Sequence, residues 1–138
     1  MMKFAAGFLG LFILAQSVYA QTGYLCVADM AVGFSYDKTR NAWKHTNFNT
    51  RGQKFLLAKS STGGWEWKRF GEKFSLDTCE KEFNSAGYMH CDGFNTIVMS
   101  KENLRFQMYY AVGYVSAKPG SEGGDTPSIT IGTCAPLE

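Results

Sequence analysis

The sequence predicts an all-β domain, a small antiparallel β-barrel or sandwich of about seven or eight strands held by two disulfides. Three observations carry that prediction. Short runs of β-branched and aromatic residues alternate with polar ones, clusters of Gly, Asn, Asp and Ser separate the runs, and four cysteines stand singly along the chain. Apolar residues make up 45% of the sequence and aromatics 15%, far from the composition of a disordered chain.

Residues 1–20 read as a cleaved signal peptide. Lys3 gives a positive start, 4–15 an apolar stretch, and Val18-Tyr19-Ala20 a cleavage site, so Gln21 is the expected first mature residue. As a helix, 4–15 would span about 18 Å against a hydrocarbon core of roughly 30 Å, too short for an anchor. Cys26 follows Leu25 and lies past the cleavage point, which excludes a lipid-anchored cysteine there. The remainder, 21–138, suits one β-rich domain with one core. Its longest apolar run, 108–115, is strand-like in length, so no membrane insertion is expected after cleavage.

Strands are expected at 24–27, 32–36, 54–59, 65–70, 94–99, 104–110, 112–116 and 128–133. Polar turn chemistry at 37–41, 60–64, 100–103 and 118–127 separates several of them. Two hairpins stand out, 54–59 with 65–70 and 94–99 with 104–110. In the second, Leu104, Phe106, Met108 and Tyr110 share one face and should look inward, leaving Arg105, Gln107 and Tyr109 outside. The stretch 76–86 alone suggests a short helix or turn: Ser75 or Asp77 could cap it, Cys79, Glu82, Phe83 and Ala86 fall at helical spacing, and Gly87 would end it.

An even number of cysteines in an oxidising compartment favours two disulfides, and Cys26, Cys79, Cys91 and Cys134 allow three pairings. Cys79 with Cys91 closes a short local loop, and Cys26 with Cys134 clasps the two ends of the domain, so this pairing is favoured over the other two. Beside paired cysteines, a zinc site would have to draw on scattered ligands and on His45 and His90, without a C-x-x-C knuckle; no metal and no cofactor is expected.

Chemistry-bearing patterns are sparse. No thiol remains for nucleophilic catalysis, no serine sits in a G-x-S-x-G elbow, and the carboxylates Asp29, Asp37, Asp77, Glu80, Glu82, Asp92 and Asp125 lie in turns or beside cations. At 37–41 the start of a calcium loop lacks its glycine and its closing glutamate, since Ala42 and Phe48 occupy those positions. The 14 basic and 12 acidic side chains nearly balance, which excludes the charged face of a duplex nucleic-acid binder. No catalytic residues are expected, and the chain does not read as an enzyme.

The aromatic residues point to binding. Trp65 and Trp67 share a strand face with Arg69, and Trp43 lies beside the 37–41 turn. Facing solvent, Trp65, Trp67 and Arg69 would form a flat platform with a cationic end, suited to a sugar ring, a planar ligand or a protein partner. Facing inward, the two tryptophans would be core, which the more polar opposite face of Glu66 and Lys68 favours. The same two readings apply to Trp43.

Tyr24-Leu25-Cys26, the run 33–38, Trp43, Lys54 to Leu57 and the segment 125–134 together resemble an uncharacterised family of small exported bacterial proteins. The leader, the Tyr24-x-Cys26 pattern and the β-rich size are also similar to the periplasmic lysozyme inhibitors, small barrels that plug an enzyme's cleft through a serine-glycine loop, for which only 60–64 offers a generic counterpart. The first resemblance carries no known activity; the leader and the aromatic face or rim loops give the expectation of a periplasmic or secreted, non-catalytic binding module for an envelope component, a small ligand or a partner protein. The alternative, which the similarity to lysozyme inhibitors implies, is an inhibitor of a foreign hydrolase such as lysozyme, working through a rigid loop at 60–64 or 118–125.

Overall fold

In a computed structural model, residues 22–75 and 77–138 are described, so the expected leader, Gln21 and Leu76 lie outside the described residues. The described residues form β1 (Gly23–Asp37), β2 (Ala42–Phe48), β3 (Lys54–Lys59), β4 (Trp65–Arg69), β5 (Asp77–Cys79), β6 (Tyr88–Gly93), β7 (Thr96–Ser100), β8 (Arg105–Tyr110) and β9 (Ser128–Leu137). All pair antiparallel in the order β2-β1-β3-β4-β5-β6-β7-β8-β9, and β9 returns to β1. The result is a closed eight-stranded barrel, with β2 as an extra strand on the far half of β1.

β1 can serve three neighbours because it is long and bends. Residues 23–27 pair with β3, 31–37 pair with β2, and β9 runs along the other side from Gly23 to Gly33. A register shift between Ala28 and Met30 inserts one residue, so the inward set Tyr24, Cys26 and Ala28 continues at Ala31 rather than at Met30. The sequence reading had divided this strand into 24–27 and 32–36; the bulge joins them.

Alternate residues from the barrel strands fill the interior: Phe55 and Leu57, Trp65 and Trp67, Met89 and Cys91, Ile97 and Met99, and Phe106. At its centre Phe55 stacks on Trp67 with ring centroids 5.2 Å apart, and Phe106 meets both, at 5.8 and 5.1 Å. Gly132 makes room for that ring. A Cβ there would stand 2.4 Å from Phe106 Cε1 and 2.1 Å from the Val27 carbonyl oxygen.

Both disulfides join residues directly opposite in the ladder: Cys26–Cys134 across β1 and β9, and Cys79–Cys91 across β5 and β6. The favoured pairing is the one observed. Both expected hairpins form, as β3 with β4 and β7 with β8, and Leu104, Phe106, Met108 and Tyr110 turn inward while Arg105, Gln107 and Tyr109 stay exposed.

Two expectations are corrected. No helix forms among the described residues of 76–86. Asp77 to Cys79 is strand, locked to β6 by the Cys79–Cys91 pair. The Asn84 side-chain oxygen then accepts from the Ala86 and Tyr88 amides, turning the chain into β6. Nor is 112–116 a strand. Gly113 adopts φ +124°, its amide donates to Ser116 Oγ, and the Ala117 amide bonds back to the Gly113 carbonyl, which coils the segment into turns.

The two ends of the barrel differ. At the end bearing connections 60–64, 80–87 and 101–104, Phe83 folds over Tyr24 and Trp65 at 5.8 and 5.6 Å and plugs the interior. Lys59 covers Trp65 at 4.5 Å and pairs with Glu82 at 2.9 Å. The end bearing 49–53, 70–76, 94–95 and 111–127 has no such plug among its described residues and opens into a cleft of about 740 Å³.

The turn joining β1 to β2 is organised by Asp37. Its carboxylate accepts from the Thr39 and Arg40 amides at 3.0 and 3.2 Å and lies 3.4 Å from Lys44 Nζ. The Arg40 amide first, and then Lys44, hold its pKa below the ordinary aspartate value. A carboxyl with a depressed folded pKa contributes its stabilisation fully above the unfolded pKa and loses it as pH falls through the folded one. The Thr39 and Arg40 amide resonances are therefore expected to move together below the ordinary aspartate range, in an NMR titration, and to stay still in Asp37→Asn.

Removing the Cys26–Cys134 bridge should cost more than removing Cys79–Cys91, because their sequence separations are 108 and 12. Loop entropy sets the two losses at about 4.7 and about 3 kcal/mol. Urea midpoints of the two double Cys→Ser variants measure the difference.

Candidate functional site

The open end of the barrel is built by the strand ends that lie beyond the central rings. Phe55 and Trp67 line the floor of the cleft, and Met108, Tyr110, Thr130, Asp77 and Asn95 line its walls. Trp67 is 1% exposed, and its indole N–H has no hydrogen-bond acceptor among the described residues. One step further along β4 on the same face comes Arg69, opposite Phe55 in the ladder, and Lys54 stands at the start of β3.

Sequence chemistry fixes the walls. Asp77 is buried yet satisfied, since it accepts from the Asn95 amide at 2.8 Å and from Asn95 Nδ2 at 2.9 Å, tying β5 to the 94–95 turn. Ser75 Oγ lies 2.7 Å from both the Trp67 and Asp77 carbonyl oxygens and donates its single proton between them, holding 70–76 against the strands. On the opposite wall the Tyr110 hydroxyl donates to Asp125 at 2.8 Å. That hydrogen bond, with burial, pushes the Tyr110 pKa above its ordinary value and anchors the 111–127 connection beside the cleft.

Charge and apolar surface meet on the rim. Lys68 is paired with Glu66 at 2.9 Å, whereas Lys54 and Arg69 have no acidic partner among the described residues. The acids lining the cleft are Glu72 and Asp77, and both oxygens of Asp77 are engaged by Asn95. Phe70, Phe74 and Phe94 border the same opening and are 58, 75 and 61% exposed. The arrangement can hold a ligand with an anionic group near Arg69 and Lys54 and an apolar or planar part over the Phe55 and Trp67 rings.

Trp65, Trp67, Arg69 and Trp43 are not brought together. Of the two readings of the Trp65 face the favoured, inward one holds, so there is no exposed platform: Trp65 and Trp67 are 5 and 1% exposed, because their strand face is the inner face of a closed barrel. The shared face nevertheless leads outward to Arg69 at the opening. Trp65 packs under Phe83 at the plugged end, and Trp43 sits on the β1–β2 hairpin, edge-on to Tyr36 and Tyr114 at 5.5 Å each. Residues that sequence reasoning missed are Lys54, Phe74, Phe94, Asn95 and the walls Met108 and Tyr110. A phenylalanine inside polar turn sequence, as in Gly71-Glu72-Lys73-Phe74-Ser75 and Gly93-Phe94-Asn95, was the available signal.

The two loops considered for an inhibitor take different places. The 60–64 turn is tight, with the Ser60 amide donating to the Gly64 carbonyl and the Gly63 amide to that of Ser60, and it lies at the plugged end. The 118–125 segment folds onto the hairpin, where Gly123 lies against Tyr36. Among the described residues no group of three or more His, Cys, Asp or Glu side chains could hold a metal ion, and no helix is long and apolar enough to cross a membrane.

A closed eight-stranded antiparallel barrel, plugged at one end and open at the other, is the class that fold and site define. Comparisons with protein-family models, with curated proteins and with solved structures find no match to this chain.

Iodide should quench Trp43, which is half-buried on the hairpin, and leave Trp65 and Trp67 nearly untouched. Comparing Trp43→Phe with the unsubstituted protein checks this, the variant being expected to lose most of the quenchable emission.

Proposed function

We propose that the protein is an exported, non-catalytic binding module that takes its ligand in the open end of the barrel. The observation that supports this most is an aromatic floor in a cleft of about 740 Å³, with Arg69 on the same strand face and Lys54 at the mouth, neither with an acidic partner among the described residues. Pockets of a few hundred Å³ with apolar walls and a few placed polar groups are the usual form of small-ligand sites. A periplasmic or secreted location fits four paired cysteines and the leader expected at 1–20.

In this reading each group has a role. Arg69 and Lys54 attract and orient an anionic group, and Phe55 and Trp67 receive the apolar part. Asp77, held by Asn95, keeps the wall in place. The Tyr110–Asp125 hydrogen bond fixes the far wall, so that the cleft stands ready before the ligand arrives.

The test is a titration of the oxidised mature protein with cell-wall fragments, with dihexanoyl-phosphatidylglycerol below its micelle concentration, and with lysozyme, following tryptophan emission in Trp43→Phe. A saturable change is expected with at least one anionic probe. Arg69→Gln with Lys54→Gln should weaken it about tenfold or more, the loss of one or two charge-assisted hydrogen bonds. Binding that ignores those substitutions, or lysozyme inhibition lost on changing 60–64, would overturn the reading in favour of a hydrolase inhibitor.

A further inference from the structure

Inside the open end, two opposite charges share one face of the sheet without meeting. Arg69 lies opposite Phe55 in the ladder and Asp77 opposite Trp67, so both belong to the inner face that carries those rings. They are diagonal neighbours on adjacent strands, a relation that sets Cα atoms about 7–8 Å apart. No ion pair joins them, because the Asp77 carboxylate is turned to Asn95, which donates its backbone amide to one oxygen and Nδ2 to the other. Each oxygen keeps a second acceptor site. Asp77 is 3% exposed, so its charge is withdrawn from water with no cation in ion-pair contact among the described residues. Gly93, directly across from it on β6, adds no side chain there.

A second buried group in the same cleft is unmet. Thr130, on the β9 wall, is 3% exposed, and its hydroxyl has no hydrogen-bond partner among the described residues. Buried polar groups in folded proteins are nearly all satisfied, so both Thr130 and Asp77 have capacity that a molecule in the cleft would fill. Charge around the mouth favours neither sign. Arg51, Lys73 and Lys118 stand in the connections of that end, and so do Glu72, Glu122 and Asp125. What the cleft offers is therefore one acidic and one basic position, side by side over an aromatic floor.

The geometry points to a zwitterionic ligand, an amino acid or short peptide whose ammonium pairs with Asp77, whose carboxylate pairs with Arg69 and Lys54, and whose apolar side chain lies on Phe55 and Trp67. This deepens the binding-module reading and rests on it. An ammonium donates three hydrogen bonds, which suits the open acceptor sites of Asp77 and the Thr130 hydroxyl, and the nearby ring faces attract a cation. A carboxylate matches the fork of the Arg69 guanidinium. A purely anionic ligand would bring negative charge beside a buried carboxylate, and a purely cationic one would leave Arg69 unanswered; a molecule with both charges answers both. The cleft of about 740 Å³ has room for one such residue or a few.

The test is calorimetric titration of the oxidised mature protein with L-phenylalanine and with the dipeptide phenylalanyl-phenylalanine, each also as its N-acetyl form, which keeps only the carboxylate, and its amide, which keeps only the ammonium. Saturable binding is expected for at least one parent, with Kd of about 1 mM or tighter, and the tighter parent tells amino acid from peptide. Its N-acetyl form and its amide should each bind about tenfold more weakly or worse, the loss of a charge-assisted contact. Asp77→Asn should bring the parent level with its N-acetyl form, and Arg69→Gln with Lys54→Gln should bring it level with its amide. Asp77 also anchors the 94–95 turn, so circular dichroism checks that its variant folds; the N-acetyl comparison on the unsubstituted protein decides the matter without it. Three results would overturn the proposal: N-acetyl form or amide binding as tightly as the parent, discrimination against the N-acetyl form surviving in folded Asp77→Asn, or no saturable binding of either parent. If the N-acetyl forms or dihexanoyl-phosphatidylglycerol bind as tightly as the parents or better, and weaken in Arg69→Gln with Lys54→Gln, the zwitterion fails and the cleft reading stands; if no probe binds, both fail.

Discussion

Closure of β9 onto β1 is the constraint on which the rest of this structure depends. An open sheet of this length would leave two unpaired edges and only one sheltered face. Pairing Gly23 to Gly33 with Ser128 to Leu137 removes both barrel edges at once, and Cys26–Cys134 holds the seam at a directly opposed pair. The bulge after Ala28 lets the closing strand bend, so that Ala31 stays inside while the strand leaves the barrel to pair with β2. The seam is joined by residues far apart in sequence, which makes its ordering entropy large and its covalent fastening correspondingly effective.

Once closed, the barrel has an interior too small to be hollow. Eight strands enclose a space that side chains can fill, and here Phe55, Trp67 and Phe106 occupy the middle. What distinguishes the two ends is then the connections. Phe83, set by the Asn84 turn and the Cys79–Cys91 bridge, reaches back over Tyr24 and Trp65 and completes the core at one end. At the other, the 70–76 and 94–95 connections direct their phenylalanines to the rim, and the central rings become the floor of a cleft. The same aromatic-rich composition thus forms the core at one end and the floor and rim of an open cleft at the other.

The cleft's electrostatics follow from who is paired with whom. Glu66 takes Lys68 and Glu82 takes Lys59, while Asp77 is hydrogen-bonded by Asn95, so the charged groups at the opening without an ion-pair partner among the described residues include Arg69, Lys54, Glu72 and Asp77. A near-neutral chain can in this way gather aromatic and charged residues at one end without any charge run visible in its sequence.

The sequence by itself determined the all-β class, the two central hairpins, and the common face of Trp65, Trp67 and Arg69, because alternation with period two and turn chemistry are local properties, whereas it only favoured one of three disulfide pairings, which the ladder fixed. It could not decide which face of that strand is wet, since period two assigns residues to faces but does not name the face that meets a core. Closure decided it, burying both tryptophans and leaving Arg69 at the opening. Tertiary contacts also overruled two local signals: helical spacing at 76–86 yielded to the ladder between β5 and β6, and the β-branched run at 112–116 yielded to the turn at Gly113. The open end belongs to this second kind of information. Lys54, Arg69, Asp77 and Phe94 are separated along the chain and meet only because antiparallel pairing stacks alternate connections at the same end of the barrel.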